Sequence, residues 1–208
     1  GINNPQGLSF IGPKIAQIDL TNNCNSSCVG CWVHSPFLGG RRMNDEDKKK
    51  HLSFEKVKRL INDLATMGTK EIFLSGSGEP FIYPHIMEAL ELIKKRGMKC
   101  NIITNFTPLN SKRIKRIVEL GIDLITVSLW AGDAKTYVKT HPENSEEAFY
   151  KIRNSLKEIY SIKKKYGKYC PKIKIYNVIC NLNYDSIDKM VDLAMETGVE
   201  FLEFQVMD

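Results

Sequence analysis

Again and again along this chain an amphipathic helical stretch gives way to a glycine and then to a short apolar run, and that rhythm admits few folds. Val57, Leu60, Ile61, Leu64 and Met67 recur at helical spacing, Gly68 follows, and Glu71-Ile72-Phe73-Leu74 reads as a strand. Ile86, Leu90 and Ile93 lead through Gly97 to a strand over Lys99–Thr104. Ile114, Ile117 and Val118 lead through Gly121 to one over Leu124–Ser128. A longer helix carries Ala148, Ile152, Leu156 and Ile159, with Asn144 as its cap and Glu147 at its third position. It runs to about Gly167, and Ile173–Ile179 reads as the next strand. Ile187, Met190, Val191 and Ala194 lead through Gly198 to Phe201–Val206. With an opening strand inside Lys14–Thr21, six strands alternate with five helices. Short strands joined by helices pair in parallel through right-handed crossovers. The expected fold is therefore α/β, a partial (β/α)6 TIM-like barrel with parallel strands. Uneven glycine spacing excludes a solenoid. Gly39–His51 and Ala131–Pro142 read as loops, the second with room for a helical turn over Asp133–Lys139.

The chain of 208 residues is long enough for one domain with a sizeable core. No apolar stretch nears the roughly 20 residues that span a bilayer, and no secretory apolar segment opens the sequence, so a cytoplasmic, membrane-free protein is expected. The net charge of +6 raises the question of nucleic acid. Its lysines fall on helix surfaces, with clusters at Lys48-Lys49-Lys50 and Lys163-Lys164-Lys165 and no interleaved aromatics. Solvated faces explain them better than a nucleic-acid partner. A basic surface also suits an acidic electron-donor protein.

Three of the six cysteines, Cys24, Cys28 and Cys31, crowd into one loop after the first strand, which points to a metal site in a reducing compartment. Most protein-bound iron–sulfur cubes have four cysteine ligands. Three leave one iron open to a substrate or cofactor, as catalysis requires. The alternative is a structural zinc loop with His34 as fourth ligand. Cys100, Cys170 and Cys180 read as isolated thiols, the last two at opposite ends of the fifth strand.

Parallel barrels carry function in the loops after their strands. Here those loops hold the cysteines, Ser75-Gly76-Ser77-Gly78-Glu79-Pro80, Thr104-Asn105-Phe106, Ser128-Leu129-Trp130 and Asn181-Leu182-Asn183. In this combination the chain resembles the radical S-adenosylmethionine (radical SAM) superfamily over nearly its whole length. The matching elements are the CxxxCxxC run, the Gly78-Glu79-Pro80 turn, Ser128 ending strand four and Asn183 after strand five.

The resemblance implies a [4Fe–4S] cluster on Cys24, Cys28 and Cys31, with the methionyl amine and carboxylate of S-adenosyl-L-methionine on the fourth iron. It implies reductive cleavage to a 5′-deoxyadenosyl radical that abstracts hydrogen from a substrate. Ser77, Gly78 and Glu79 would meet the methionyl amine, with Glu79 either accepting from it or organising the turn. Ser128 would bond the ribose hydroxyls, Asn183 the ribose or carboxylate, and Thr104 and Asn105 would line the pocket. Two positions depart from the family pattern. Gly30 stands where an aromatic residue near the adenine is common, so Trp32 is expected to fill that space. Ser77 stands for the first glycine of the usual turn.

Trp130 and Tyr137 read either as a substrate wall or as an aromatic packing pair, His141 as a polar loop residue, and Gln205 and Asp208 as weaker substrate-facing candidates. The implied partners are a flavodoxin or ferredoxin as electron donor and a peptide or protein as substrate. A small-molecule or carbohydrate substrate is the alternative, and a non-catalytic metal-binding module is the reading from a different class. The sequence opens without Met and stops at the sixth strand, so residues 1–208 are expected to be a core domain lacking a C-terminal extension of the SPASM or twitch kind.

Overall fold

Alternation along the strands decides which face of the sheet is covered. In β5 (Lys172–Ile179), Ile173, Ile175 and Asn177 are buried while Lys172 is exposed; in β3 (Lys99–Thr104), Cys100, Ile102 and Thr104 are buried while Lys99 and Ile103 are exposed. The buried face packs under helices, as successive strand side chains point to opposite sides. A computed structural model describes residues 12–207. The other strands are β1 (Ile15–Ile18), β2 (Glu71–Leu74), β4 (Leu124–Ser128) and β6 (Phe201–Val206). They form one sheet in the order β1-β2-β3-β4-β5-β6, with every neighbouring pair parallel. Since β1 and β6 do not pair, the barrel is open, a partial (β/α)6 barrel.

The helices are α1 (Asp45–Lys48), α2 (Phe54–Thr66), α3 (Ile86–Lys95), α4 (Ser111–Leu120), α5 (Ala134–Thr140), α6 (Glu146–Lys165) and α7 (Ile187–Thr197). Ile61, Leu90, Ile117, Ile152 and Leu156 meet Ile72, Ile102, Ile125 and Ile175 in one core. Each such side chain contributes about 1.5–3 kcal/mol when fully buried. The glycines that close the helices all have positive φ, and Gly121 and Gly198 cap α4 and α7 in the left-handed conformation. No helix among the described residues is long and apolar enough to cross a membrane.

Several local expectations need correction. Gly39–His51 is not a plain loop: Pro36–Arg41 forms a 3-10 turn, α1 follows with Asn44 accepting from the Asp47 amide, and His51 bridges to Thr21. Within Ala131–Pro142 the helical turn allowed for over Asp133–Lys139 does form, as α5, capped by Asp133 accepting from the Thr136 amide at 2.8 Å. Asn144 does not cap α6. Ser145 stands at the cap position, while the Asn144 amide donates to Ser26 Oγ (3.1 Å) and Tyr137 OH (2.7 Å), so tertiary partners win over the local cap. Leu60 on α2, Met67 at its C-terminal cap, and Ile187 and Val191 on α7 stay partly exposed. Asp208 lies outside the described residues.

Candidate active site

The strand ends converge on a cleft of ≈ 210 Å³ lined by Cys24, Cys28 and Cys31 on one side and by the loops after β2, β3 and β4 on the other. The cysteine loop is fixed from several directions. The Asn23 amide donates to Thr21 Oγ1 (3.1 Å), the Val29 amide to the Thr140 carbonyl (3.0 Å), and the Cys31 amide to the Cys28 carbonyl (3.0 Å). Arg42 donates to Ser27 Oγ (2.7 Å) and Glu143 (3.0 Å), and Ser27 donates to Glu143, tying the loop to the segment before α6. The sulfurs themselves have donors: the His34 amide lies 3.2 Å and the Val33 amide 3.5 Å from Cys31 Sγ, and Asn105 Nδ2 lies 3.9 Å from Cys24 Sγ. Burial pushes the Cys24 and Cys28 thiols up to about 12. Both are neutral until a bound metal's charge displaces the protons.

The turn after β2 is held as tightly. Asp19 accepts from the Ser77 amide (2.7 Å), and the Glu79 amide donates to the Asn23 carbonyl (2.8 Å), joining this turn to the cysteine loop. A Cβ on Gly78 would collide with the carbonyl oxygens of Thr21 and Asn23, which are backbone and cannot swing away. Only glycine lets these segments approach. The Glu79 carboxyl is buried. It accepts from the Phe81 amide (3.0 Å), Thr104 Oγ1 (2.7 Å) and the Asn105 amide (2.7 Å). Burial raises it to about 7 against the pull of these bonds. Glu79 therefore organises the turn and staples it to the end of β3, and it also lines the cleft.

Ser77, Gly78, Thr104, Asn105 and Ser128 all line the cleft. Asn105 is positioned by Asn25 and Thr107: its Nδ2 donates to Asn25 Oδ1 (2.8 Å) and its Oδ1 accepts from the Thr107 amide (3.0 Å). Asn183 is not brought to the cleft. It is fully buried, its Nδ2 donates to the carbonyls of Trp130 and Val178 (both 2.9 Å), and its Oδ1 accepts from the Cys180 amide (2.8 Å). The expectation that it holds ribose or carboxylate is corrected, because its side chain is spent on backbone.

Trp32 lines the rim yet is 75% exposed, and it does not fill the space beside Gly30. A Cβ there would meet Met207 Cε and, at 3.3 Å, Trp130 Cη2. His34 is buried. Its Nε2 lies 3.0 Å from the Asn22 carbonyl, and burial holds its pKa below the ordinary histidine value. Trp130 and Tyr137 do not form a direct pair, because His141 stands between them, stacked on Tyr137 at 4.4 Å and 5.7 Å from Trp130. Asp19, Asn25 and Ser26, which brace the loops around the cleft, escaped the sequence reading. Only Asp19 carried a local signal, an acid at the end of strand one.

Burial lowers His141 to about 4. Its folded pKa lies below the unfolded value of about 6.5, so its neutral form stabilises the fold above pH ~6.5 and that stability is lost as pH falls toward ~4. Glu79, raised to about 7, acts the other way: its contribution is full below the unfolded carboxylate pKa and is lost as pH rises through about 7. The difference in unfolding free energy between wild type and His141→Phe isolates the histidine. It should shrink by about 3 kcal/mol between pH 6.5 and 4 in denaturant titrations. A constant difference would show that His141 is protonated in the fold.

The donor set fits an iron–sulfur cluster with an open iron. Cys24, Cys28 and Cys31 line the cleft, and Cys100, Cys170 and Cys180 do not. Among the described residues no three His, Cys, Asp or Glu side chains are gathered as one ion would gather them, so the fit rests on the chemistry of three thiols with amide donors to sulfur. A groove of ≈ 450 Å³ between α5, α6 and α7 is lined by the ion pairs Asp133–Lys189 and Arg153–Glu196, and among the described residues it gathers no metal-ligating cluster.

Comparison with known proteins agrees. The model of the radical SAM superfamily matches residues 18–194. The tungsten-containing aldehyde ferredoxin oxidoreductase cofactor-modifying protein of Pyrococcus furiosus is 24% identical over 190 residues, covering 90% of this chain and 49% of the relative. SuiB of Streptococcus suis bound to its precursor peptide SuiA superposes with a TM-score of 0.74 at 17% identity, over 95% of this chain and 40% of SuiB. Native anSMEcpe with bound AdoMet and the Kp18Cys peptide superposes at 0.69 and 16% identity, over 93% of this chain and 51% of that one. These last two likenesses concern the fold. The chain spans about half the length of the curated relative it matches.

Proposed function

This chain belongs to the radical SAM superfamily, whose enzymes use a [4Fe–4S] cluster and S-adenosylmethionine, and from that premise we propose how its own residues run the chemistry. Cys24, Cys28 and Cys31 hold the cluster. Ser77 and Gly78 present backbone at close range to the methionyl end of the cofactor, Glu79 holds that turn in place, and Ser128 bonds the ribose. When bound, the cluster and cofactor would supply the one-electron cleavage chemistry that ends in hydrogen abstraction from a substrate. The observation that carries this reading is the gathering of three thiols, a glycine that tolerates no Cβ and Ser128 around one cleft.

A flavodoxin or ferredoxin delivers the electron. The substrate is a peptide or protein, a reading supported by the peptides that SuiB and anSMEcpe hold. A small molecule is the second reading, favoured by the Pyrococcus relative, whose name assigns it to modification of a cofactor. A further segment would suit the open edge at β6, where Phe204 is 40% and Val206 67% exposed. Reconstituted without oxygen and reduced with dithionite, the protein should convert S-adenosylmethionine to 5′-deoxyadenosine and methionine. A protein that takes up zinc and no iron, and yields no 5′-deoxyadenosine, would leave only the metal-binding module.

A further inference from the structure

Each of the three clustered sulfurs has a hydrogen-bond donor within reach, and the donors are of two kinds. Cys31 Sγ takes backbone, the His34 amide at 3.2 Å and the Val33 amide at 3.5 Å. Cys24 and Cys28 are met by side chains instead, Asn105 Nδ2 at 3.9 Å and Ser26 Oγ at 3.8 Å. Ser26 is 4% and Asn105 7% exposed, and both line the cleft. Neither is free to turn away. Asn105 Oδ1 accepts from the Thr107 amide (3.0 Å) and hydroxyl (2.7 Å), which decides which end of its amide is nitrogen. One Asn105 N–H goes to Asn25 Oδ1 (2.8 Å), and Asn25 Nδ2 closes the ring on Thr107 Oγ1 (2.7 Å). The other N–H has Cys24 Sγ as its partner among the described residues. On the far side, Asn144 Nδ2 donates to Ser26 Oγ (3.1 Å) and to Tyr137 OH (2.7 Å). A hydroxyl that accepts from Asn144 keeps its own hydrogen for another partner, and Cys28 Sγ stands beside it. As a thiol Cys28 donates to Ser26; as a metal-bound thiolate it can only accept.

We propose that Asn105 and Ser26 set the reduction potential of the cluster through Cys24 and Cys28, and that Asn144 is the positioning residue that aims the serine. This rests on the cluster reading given above. One electron taken from the reductant adds one negative charge to the cluster. Donors aimed at its cysteine sulfurs stabilise the reduced form more than the oxidised form, which is why iron–sulfur potentials respond to hydrogen bonds at sulfur. Burial strengthens each such bond. Bracing of the loop alone accounts for the ring of Asn25, Asn105 and Thr107. It gives no reason for the two hydrogens left over beside the sulfurs.

The test is a redox titration of the reconstituted protein without S-adenosylmethionine, followed by electron paramagnetic resonance of the reduced cluster. Iron, sulfide and melting temperature are measured on each variant. Ser26→Ala and Asn105→Ala should each move the reduction equilibrium about tenfold toward the oxidised form, about 59 mV more negative for one electron. Ser26→Thr keeps the hydroxyl and should keep the wild-type midpoint. Asn144→Ala should shift the midpoint in the same direction when Ser26 is present and add nothing to Ser26→Ala, because it acts through that hydroxyl. A residue that only braces the loop would lower the melting temperature without this pattern of potentials.

A wild-type midpoint in Ser26→Ala or Asn105→Ala at full cluster content would overturn the proposal, as would a shift to more positive potential. Asn144→Ala with no shift, or with the same shift when Ser26 is already gone, would remove its positioning role. Should Asn105→Ala lose its cluster, the serine series still decides. Wild-type protein that takes up no iron would instead sink the cluster reading itself, and this proposal with it.

Discussion

Cys28→Ala is expected to abolish both the cluster and the chemistry. Loss of a residue that merely orients a metal ligand costs 10–100-fold in metal affinity or activity, so loss of a ligand should cost at least about a hundredfold in 5′-deoxyadenosine formed. No neighbour can take its place. His34 points its ring at the Asn22 carbonyl, while Cys100 is fully buried under the sheet and made resistant to ionisation by that burial. Cys170 and Cys180 flank β5 and do not line the cleft. Iron and acid-labile sulfide per chain, measured after reconstitution, should fall together with the product. Retention of a full cluster in this variant would mean that another residue supplies the third ligand.

The second large effect is structural as much as chemical. Glu79→Ala leaves the Phe81 amide, Thr104 hydroxyl and Asn105 amide without an acceptor in a site that water does not reach. Each buried unsatisfied donor costs about 1–3 kcal/mol, offset in part by no longer burying a carboxyl, so a loss of about 3–5 kcal/mol is expected in denaturant unfolding. The same substitution frees the turn from β3 and lets the Ser77–Gly78 backbone drift from the pocket. Affinity for S-adenosylmethionine should therefore fall even where the variant is held folded by low temperature. Glu79→Gln keeps the volume and one accepting oxygen, and should lose less of both. Wild-type stability in Glu79→Ala would show that the three donors find other partners.

The contrast between these residues and Trp32 shows what a linear sequence can disclose. The sheet was legible because each strand alternates under helices whose apolar stripes end at left-handed glycines, a purely local pattern. The cysteines and Gly78 were legible because their spacing lies within one loop. Trp32 was read as the neighbour of Gly30 because it lies two residues away, whereas the space beside Gly30 is taken by Met207 after β6 and by the edge of the Trp130 ring from the loop after β4. Asn183 looked like a cofactor contact because it follows β5 on the functional edge. Its amide is instead drawn to backbone groups that only the assembled barrel places beside it. Asn144 failed as a cap for a similar reason, since its amide is drawn to Ser26 in the cysteine loop and to Tyr137 on the preceding helix.

The most direct test of the central claim is electron paramagnetic resonance of the dithionite-reduced, reconstituted protein with and without S-adenosylmethionine. A cube held by Cys24, Cys28 and Cys31 with its fourth iron open should give a reduced-cluster signal whose g-values shift when the cofactor is added. A reduced cluster whose spectrum is indifferent to S-adenosylmethionine would contradict the account, because it would place the fourth iron out of the cofactor's reach.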